Sequence, residues 1–299
     1  MGKPQYNHYS PVFANGPWAE GSHYACWKRQ SDEGIVIQEP KGRKQWGRQR
    51  RLYSSSIEVA LDRDIEASVS PIYRKLLNFQ EPLEYERIKW AQFLRSQIVR
   101  TPSFMRYERA AKNMLGMHNE PDHDRVGCEE CHDLVEITGR RWLLLLAHDD
   151  DFFIRTDNPV LYTGFLSDPA TVLYYPLSPR LCFVATTMGT DWDPQNKSLT
   201  QVSMVNMPLL KGAAHMLNFY FAKFADESLV LRPSDSGTIA QEMFSDVLGI
   251  YPQPPFDLHR PQAHEIAEAM ESIRSLMSVV DGHKYPEHSV DELPGFESI

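Results

Sequence analysis

The chain has 299 residues, of which 42% are hydrophobic, so it is long enough to bury one large hydrophobic core. Its formal net charge of −9 disfavours general coating of nucleic acid, although a local basic surface could still bind phosphate. The longest apolar run, at residues 142–147, is too short to span a bilayer, and the first ten residues lack the apolar stretch of a signal peptide. With only four cysteines, we expect a reduced, cytoplasmic protein without membrane association.

The first third of the chain changes pattern twice. Proline and glycine interrupt residues 1–22, which predicts an extended N-terminal arm anchored by its aromatic side chains. A β-hairpin is predicted next, with strands at residues 24–28 and 35–38 around the turn sequence SDEG. Apolar residues then recur every three or four positions, which predicts a helical block at residues 55–115. Pro71 is expected to kink or divide the first helix of this block.

Residues 133–232 contain short apolar runs that are typical of β-strands. These runs are residues 142–146, 152–154, 160–162, 172–175, 182–186 and 229–231. One helix is predicted at residues 209–224, C-terminal helices in 237–280, and a disordered tail at 286–299. Because no repeat or Gly/Ser linker divides the chain, we expect residues 1–285 to form a single domain. The predicted fold is α+β, with the helical block packed on a mainly antiparallel sheet and the arm across their junction.

Four short motifs follow one another along this pattern. They are His8-Tyr9-Ser10-Pro11, Arg100-Thr101-Pro102, Thr156-Asp157-Asn158-Pro159-Val160 and Pro176-Leu177-Ser178-Pro179. Together they resemble the domain-of-unknown-function 4238 family, whose hallmarks are HYxP, RTP, (S/T)DxPV and PLSP motifs. The resemblance extends over residues 7–232 and implies no particular chemistry. After Phe13 this chain has Ala-Asn-Gly-Pro where the family usually has a longer apolar segment.

The motif residues contain the parts of a polar active site. Gln97 and Arg100 are three residues apart and share one helix face. His8 could transfer protons, Arg100 could bind an anionic group, and Asp157 could orient the histidine or hold a metal. With Tyr9 and Gln97 as positioning donors, this set predicts a hydrolytic or group-transfer enzyme acting on an anionic substrate, such as a nucleotide or nucleic-acid end. In the alternative interpretation, Arg100 and Asp157 form a buried ion pair that is purely structural.

A second candidate site is the polar loop at residues 117–132. Its spacing, H-x4-H-x4-C-x2-C, is compatible with a tetrahedral zinc site. The four predicted ligands are His118, His123, Cys128 and Cys131. The alternative is an ordinary solvated loop. By contrast, we interpret Asp149-Asp150-Asp151 as a turn, because aspartate favours turns and apolar runs flank it.

A third candidate is the basic run at residues 41–51, which has six basic residues and no acid. Lys44, Trp46 and Arg48 could contact phosphates and stack on bases. They support the alternative function, a non-catalytic binding or regulatory protein with a nucleic-acid partner. The run could equally be a hairpin edge that its charge protects from aggregation. The signature motifs of the common hydrolases, kinases, dehydrogenases and metalloproteases are missing from the sequence.

Overall fold

The computed structural model describes residues 6–30, 35–106, 133–164, 166, 168–187 and 204–237. The predicted zinc loop, the C-terminal helices beyond residue 237 and the predicted tail lie outside these residues. No helix in the described part of the chain is long and apolar enough to cross a membrane.

The N-terminal arm folds into three short elements. These are β1 (Tyr6–His8), α1 (Val12–Asn15) and a 3-10 turn (Gly16–Trp18). As predicted, an aromatic residue anchors the arm. The Trp18 side chain is fully buried, and its indole Nε1 donates a hydrogen bond to the carbonyl of Phe153 at 2.8 Å.

The predicted hairpin is confirmed, with longer strands than the sequence pattern indicated. Strand β2 (His23–Gln30) pairs antiparallel with β3 (Ile35–Gly42), and β4 (Arg48–Arg50) returns to pair with β1. Gly47 permits this return because its φ is 76° and a Cβ atom there would lie 3.0 Å from the Cβ of Ser10. The close approach lets the amide of Ser10 donate to the carbonyl of Gly47 at 3.1 Å.

The helical block begins at a Ser54 cap and contains α2 (Ser55–Ala60), a π-helical segment (Leu61–Glu66), α3 (Ala67–Leu77) and α4 (Glu84–Val99). Of the two effects expected of Pro71, division of the first helix does not occur, because Pro71 lies inside α3. Burial of Val69, Ile72 and Tyr73 holds α3 together despite the missing amide hydrogen. The irregular part of this helical block is the π-helical segment Leu61–Glu66, which precedes the proline.

Two larger sheets make up the rest of the described fold. The five-stranded sheet has the order β10-β5-β9-β8-β7, and the four-stranded sheet has the order β3-β2-β11-β6. Among the described strands only the β10–β5 pairing is parallel, so the prediction of a mainly antiparallel sheet is confirmed. The strands are β5 (Arg141–Leu146), β6 (Arg155–Thr156), β7 (Leu161–Tyr162), β8 (Leu173–Ser178), β9 (Leu181–Thr186), β10 (Val205–Pro208) and β11 (Ser228–Leu231).

One predicted strand is wrong. Residues 152–154 are buried but form no strand, because their amides bond elsewhere. The amide of Phe153 donates to the carbonyl of Pro179, and that of Ile154 donates to Oδ1 of Asn218. Asn218 belongs to α6 (Ala213–Lys223). The sequence gives no sign that the Asn218 side chain is a hydrogen-bond partner of residues 152–154.

Helices cover both faces of the five-stranded sheet. On one face Trp90 of α4 packs edge-on against Tyr175 and Phe183. On the other face Phe221 of α6 packs against Tyr174. Coverage on both sides explains why the strand sequences are almost continuously apolar rather than alternating. A short helix, α5 (Asp133–Thr138), leads into β5. The α+β fold with a helical block on a sheet is confirmed.

Candidate functional site

The β1–β4 pairing brings polar residues of the arm and of the basic run together. Tyr6 lies opposite Arg50 and His8 lies opposite Arg48. Because side chains alternate along a strand, these four side chains share one face of the ribbon, which we call the basic face. The guanidinium of Arg48 stacks 4.6 Å from the ring centroid of Tyr6, and that ring is 45% exposed. The basic face therefore combines an exposed aromatic ring with two arginines.

His8 lies at the inner end of the basic face and contacts Glu58 of α2. Its Nδ1 atom lies 3.5 Å from Oε1 of Glu58, and its amide donates to the same oxygen at 3.3 Å. Burial opposes ionisation of Glu58, but hydrogen bonds, chiefly from His8, lower its pKa below the usual range. The Nε2 atom of His8 is shielded from solvent and has no hydrogen-bond partner in the described structure. Glu58 therefore fixes the position of the imidazole.

A groove of about 400 Å³ lies between the arm and the first helices, next to the basic face. It is lined by His8, Pro11, Val12, Phe13, Glu58, Val59, Leu61, Asp62 and Glu66. The π-helical segment supplies Leu61, Asp62 and Glu66. Glu58, Asp62 and Glu66 follow one another in steps of four residues, so they lie on the same side of the helical segment, the side that lines the groove. Five of the nine lining residues are thus apolar and three are acidic.

Arg100 and Gln97 lie side by side, as their spacing predicts, but both side chains are fully buried. Nη1 of Arg100 donates to Oε1 of Glu66 at 2.6 Å. With its amide oxygen turned toward the arginine, Gln97 accepts from Nε of Arg100 at 2.8 Å. Arg100 therefore holds Glu66 and the helices together, and its guanidinium does not reach the groove as a free anion-binding group.

Replacing Glu66 by Gln should lower the free energy of unfolding by about 2 kcal/mol, because a fully buried Arg100 then loses its charged partner. Urea unfolding at constant pH measures the change. Asp64→Asn, on the same π-helical segment, is the matched control, since Asp64 pairs with Arg63 on the exposed surface. Its midpoint should stay close to that of the parent protein. Equal effects of the two substitutions would contradict the structural role of the Arg100–Glu66 pair.

Asp157 is buried at the start of the loop after β6 and organises a second loop. Its carboxylate accepts hydrogen bonds from the amides of Asp226, Glu227 and Ser228 at 2.7–2.8 Å. Burial and repulsion by Asp226 outweigh these bonds and raise the pKa of Asp157 to about 7. Within the described residues Asp157 does not pair with Arg100 or contact His8. The proposed active-site trio does not converge, and the alternative Arg100–Asp157 ion pair does not form either.

The predicted substrate-binding residues divide into exposed and buried ones. Tyr9 is 7% exposed and packs edge-on against Trp46, which is 4% exposed. The indole Nε1 of Trp46 donates to Oγ of Ser228, so this ring is not available to stack on a base. Lys44 is exposed in the turn before β4. Tyr6 was missed by sequence reasoning, because only the register of a three-residue strand brings its ring onto the basic face.

The structure offers no support for a metal centre among the residues that it describes. No group of three or more His, Cys, Asp or Glu side chains in them could hold an ion. The predicted ligands His118, His123, Cys128 and Cys131 lie outside this part of the chain. The three aspartates at 149–151 form a turn, as expected: Asp150 pairs with Lys211, and Asp151 accepts from the amide of Gly212 at 2.6 Å.

The comparisons with known proteins agree with the motif resemblance. Residues 6–130 match the model of a family described as "Protein of unknown function (DUF4238)". The HYxP and RTP motifs lie inside this range, and the other two motifs lie beyond it. A search of curated proteins and a search of solved structures found no match.

Proposed function

We propose that this protein, whose residues 6–130 match the DUF4238 family, binds a phosphate-bearing partner, a nucleotide or a nucleic-acid strand, on its basic face. The observation that carries the proposal is the β1–β4 register, which aligns Tyr6, His8, Arg48 and Arg50. In the described contacts neither Arg48 nor Arg50 has a carboxylate partner, so both guanidinium groups are free for an anion.

The geometry and local charge of this face suit a nucleic-acid ligand. Arg48 and Arg50 are two residues apart on one strand, a separation of about 6.6 Å that allows contact with successive phosphates. The Tyr6 ring offers a stacking surface for a base. Although the chain is acidic overall, residues 40–57 carry six cations and no acid, so attraction of an anion is local.

Binding is favoured over catalysis because two of the predicted catalytic residues have other tasks. Arg100, the proposed anion clamp, is held by Glu66, and Asp157, the proposed orienting carboxylate, holds the 226–228 loop. Neither side chain reaches the groove. The anion-binding role therefore passes from Arg100 to Arg48 and Arg50.

The double variant Arg48→Gln/Arg50→Gln should bind a fluorescein-labelled single-stranded oligonucleotide at least about 10-fold more weakly in fluorescence anisotropy. Loss of two phosphate contacts should also make the plot of log affinity against log salt concentration less steep by about 1.4. Both substituted side chains are at the surface or half-buried, so the fold should be retained.

The matched control removes two cations elsewhere. Arg232→Gln/Lys211→Gln has the same net charge as the test variant, but its two side chains belong neither to the basic face nor to the groove lining and pair with Asp235 and Asp150. Equal weakening in both variants would show that binding responds only to total charge, and the basic face would lose its role.

A second candidate is a hydrolytic or group-transfer enzyme acting on the same anionic ligand. It is favoured by the contact of His8 with Glu58 at the side of a groove, since a carboxylate that orients an imidazole is a common acid–base arrangement. Incubating end-labelled oligonucleotides and nucleotides with parent protein and with His8→Gln tests it. Turnover by the parent that His8→Gln abolishes, with binding retained, supports catalysis. Binding without turnover by either protein supports the binding function alone.

A further inference from the structure

We propose that the groove is a base-binding site and that it prefers guanine. The inference rests on the proposed function, because it assigns the phosphate of the ligand to the basic face and the base of the same ligand to the groove. It adds a specificity that the basic face alone does not have.

The two surfaces share His8. Its side chain belongs to the basic face through the β1–β4 register and also lines the groove. One nucleotide can therefore contact Arg48 with its phosphate and enter the groove with its base. A cavity of about 400 Å³ is within the usual range for small-ligand sites.

The charge of the groove determines which part of a nucleotide enters. Three carboxylates, those of Glu58, Asp62 and Glu66, face it, so a phosphate there would be repelled. A base is neutral, and it can pack against the apolar side of the groove, formed by Val12, Phe13 and Val59. The base thus lies in the groove and the phosphate lies outside it.

The aromatic wall of the groove is held in place by the core. The Phe13 ring packs edge-on against Tyr73 at 5.5 Å and lies 5.9 Å from Phe93. The arm that carries it is tied by Tyr53, whose hydroxyl donates to the carbonyl of His8 at 2.8 Å, and by Tyr73, whose hydroxyl donates to the carbonyl of Ala14. A preformed wall needs little ordering when the base binds.

Asp62 is the carboxylate that can read the base. Glu58 is engaged by His8 and Asn7, and Glu66 is engaged by Arg100. Asp62 is exposed and makes neither an ion pair nor a hydrogen bond with any described residue. A carboxylate accepts two parallel hydrogen bonds from adjacent donors.

Guanine is the base that supplies such a donor pair. Its ring N–H and its exocyclic amino group lie side by side on one edge, whereas adenine and cytosine present a single amino group next to an acceptor nitrogen. That acceptor would face a carboxylate oxygen and be repelled by it. Asp62 should therefore select guanine through two hydrogen bonds and disfavour the other bases.

The test uses fluorescein-labelled oligothymidylates of nine nucleotides in which the central base is guanine, hypoxanthine, adenine or thymine. Hypoxanthine differs from guanine only by the missing amino group. The parent protein should bind the guanine probe about 10-fold more tightly than the hypoxanthine probe, the value of one hydrogen bond to a charged group. If unlabelled 5′-GMP displaces the labelled guanine probe, a mononucleotide is sufficient for binding. If 5′-GMP does not displace it and the protein still prefers the guanine probe, the ligand is a strand.

Asp62→Asn should reduce the guanine preference, measured as the ratio of affinities for the guanine and hypoxanthine probes, to within about twofold. Asp64→Asn, two residues away, is the control and should keep the preference. Equal binding of all four probes by the parent protein would overturn the guanine site but leave the proposed function standing. A preference that persists in Asp62→Asn would overturn the role of Asp62. Failure of the parent protein to bind any of the four probes would overturn both proposals.

Discussion

Replacing Arg140 by Met should lower the free energy of unfolding by about 5 kcal/mol. The Arg140 side chain is fully buried between α5 and the loop that connects β7 to β8. Its nitrogens donate to five backbone carbonyls, those of Glu136, Leu166, Asp168, Pro169 and Thr171. Burial lowers the pKa of Arg140 to about 10, so the guanidinium still carries its charge at neutral pH. Each lost bond costs about 1 kcal/mol.

Urea unfolding of the parent and Arg140→Met proteins measures the difference, and Arg141→Met is the matched control. Arg141 is the next residue, is half-buried, and its side chain forms no hydrogen bond within the described structure. Its replacement should have a much smaller effect. Arg140→Lys should fall between the two, because an ammonium has three donors and cannot reach five carbonyls in the guanidinium geometry. A parent-like midpoint for Arg140→Met would show that the loop does not depend on these bonds.

The contribution of Asp157 to the free energy of unfolding should decrease by up to about 4 kcal/mol as the pH rises from about 4 to about 7. Burial raises the pKa of Asp157 from 3.8 to about 7. Between these values the folded state holds a proton that the unfolded state releases, so raising the pH favours unfolding. Three pKa units correspond to about 4 kcal/mol. The contribution is fully present below about pH 4 and is lost once the pH passes 7.

The experiment compares urea unfolding of the parent and Asp157→Asn proteins at pH 4, 6 and 8. The stability of the parent relative to the variant should fall with rising pH, and taking the difference cancels the titration of all other groups. Asp149→Asn controls for loss of a carboxyl, since the Asp149 side chain is 98% exposed. If the stability of the parent relative to Asp157→Asn rises with pH, the three amide donors keep Asp157 ionised and its pKa lies below its usual value.

The four sequence motifs meet in the folded protein, and their contacts are structural. Arg155 links the arm to the PLSP segment, because its Nη2 donates to Oγ of Ser10 and its Nη1 donates to the carbonyl of Pro176. Ser103, directly after the RTP motif, donates to Oδ1 of Asn158 in the TDNPV motif at 2.6 Å. These contacts therefore fix the arm against the sheet and support the basic face, on which His8 is the one motif residue.

Local patterns in the sequence determined the elements of this fold. Apolar spacing predicted the helices at 55–99 and four of the strands, β5, β7, β8 and β9, together with β11, but it missed β6 and β10 and wrongly predicted a strand at 152–154. These predictions succeed where a residue's neighbours along the chain decide its conformation. The 152–154 run fails because its amides bond to Pro179 and Asn218, which are distant in sequence.

The sequence by itself also determined that polar residues stand at His8, Arg100 and Asp157 within short motifs, and that the basic run carries no acid. Only the tertiary structure decided that Arg100 pairs with Glu66, that Trp46 is buried and that Tyr6 is exposed beside Arg48. The physical reason is that burial and pairing depend on contacts between segments far apart in the chain. Such contacts leave no periodic pattern in the sequence, so composition can supply the parts of a site but cannot show which parts face solvent.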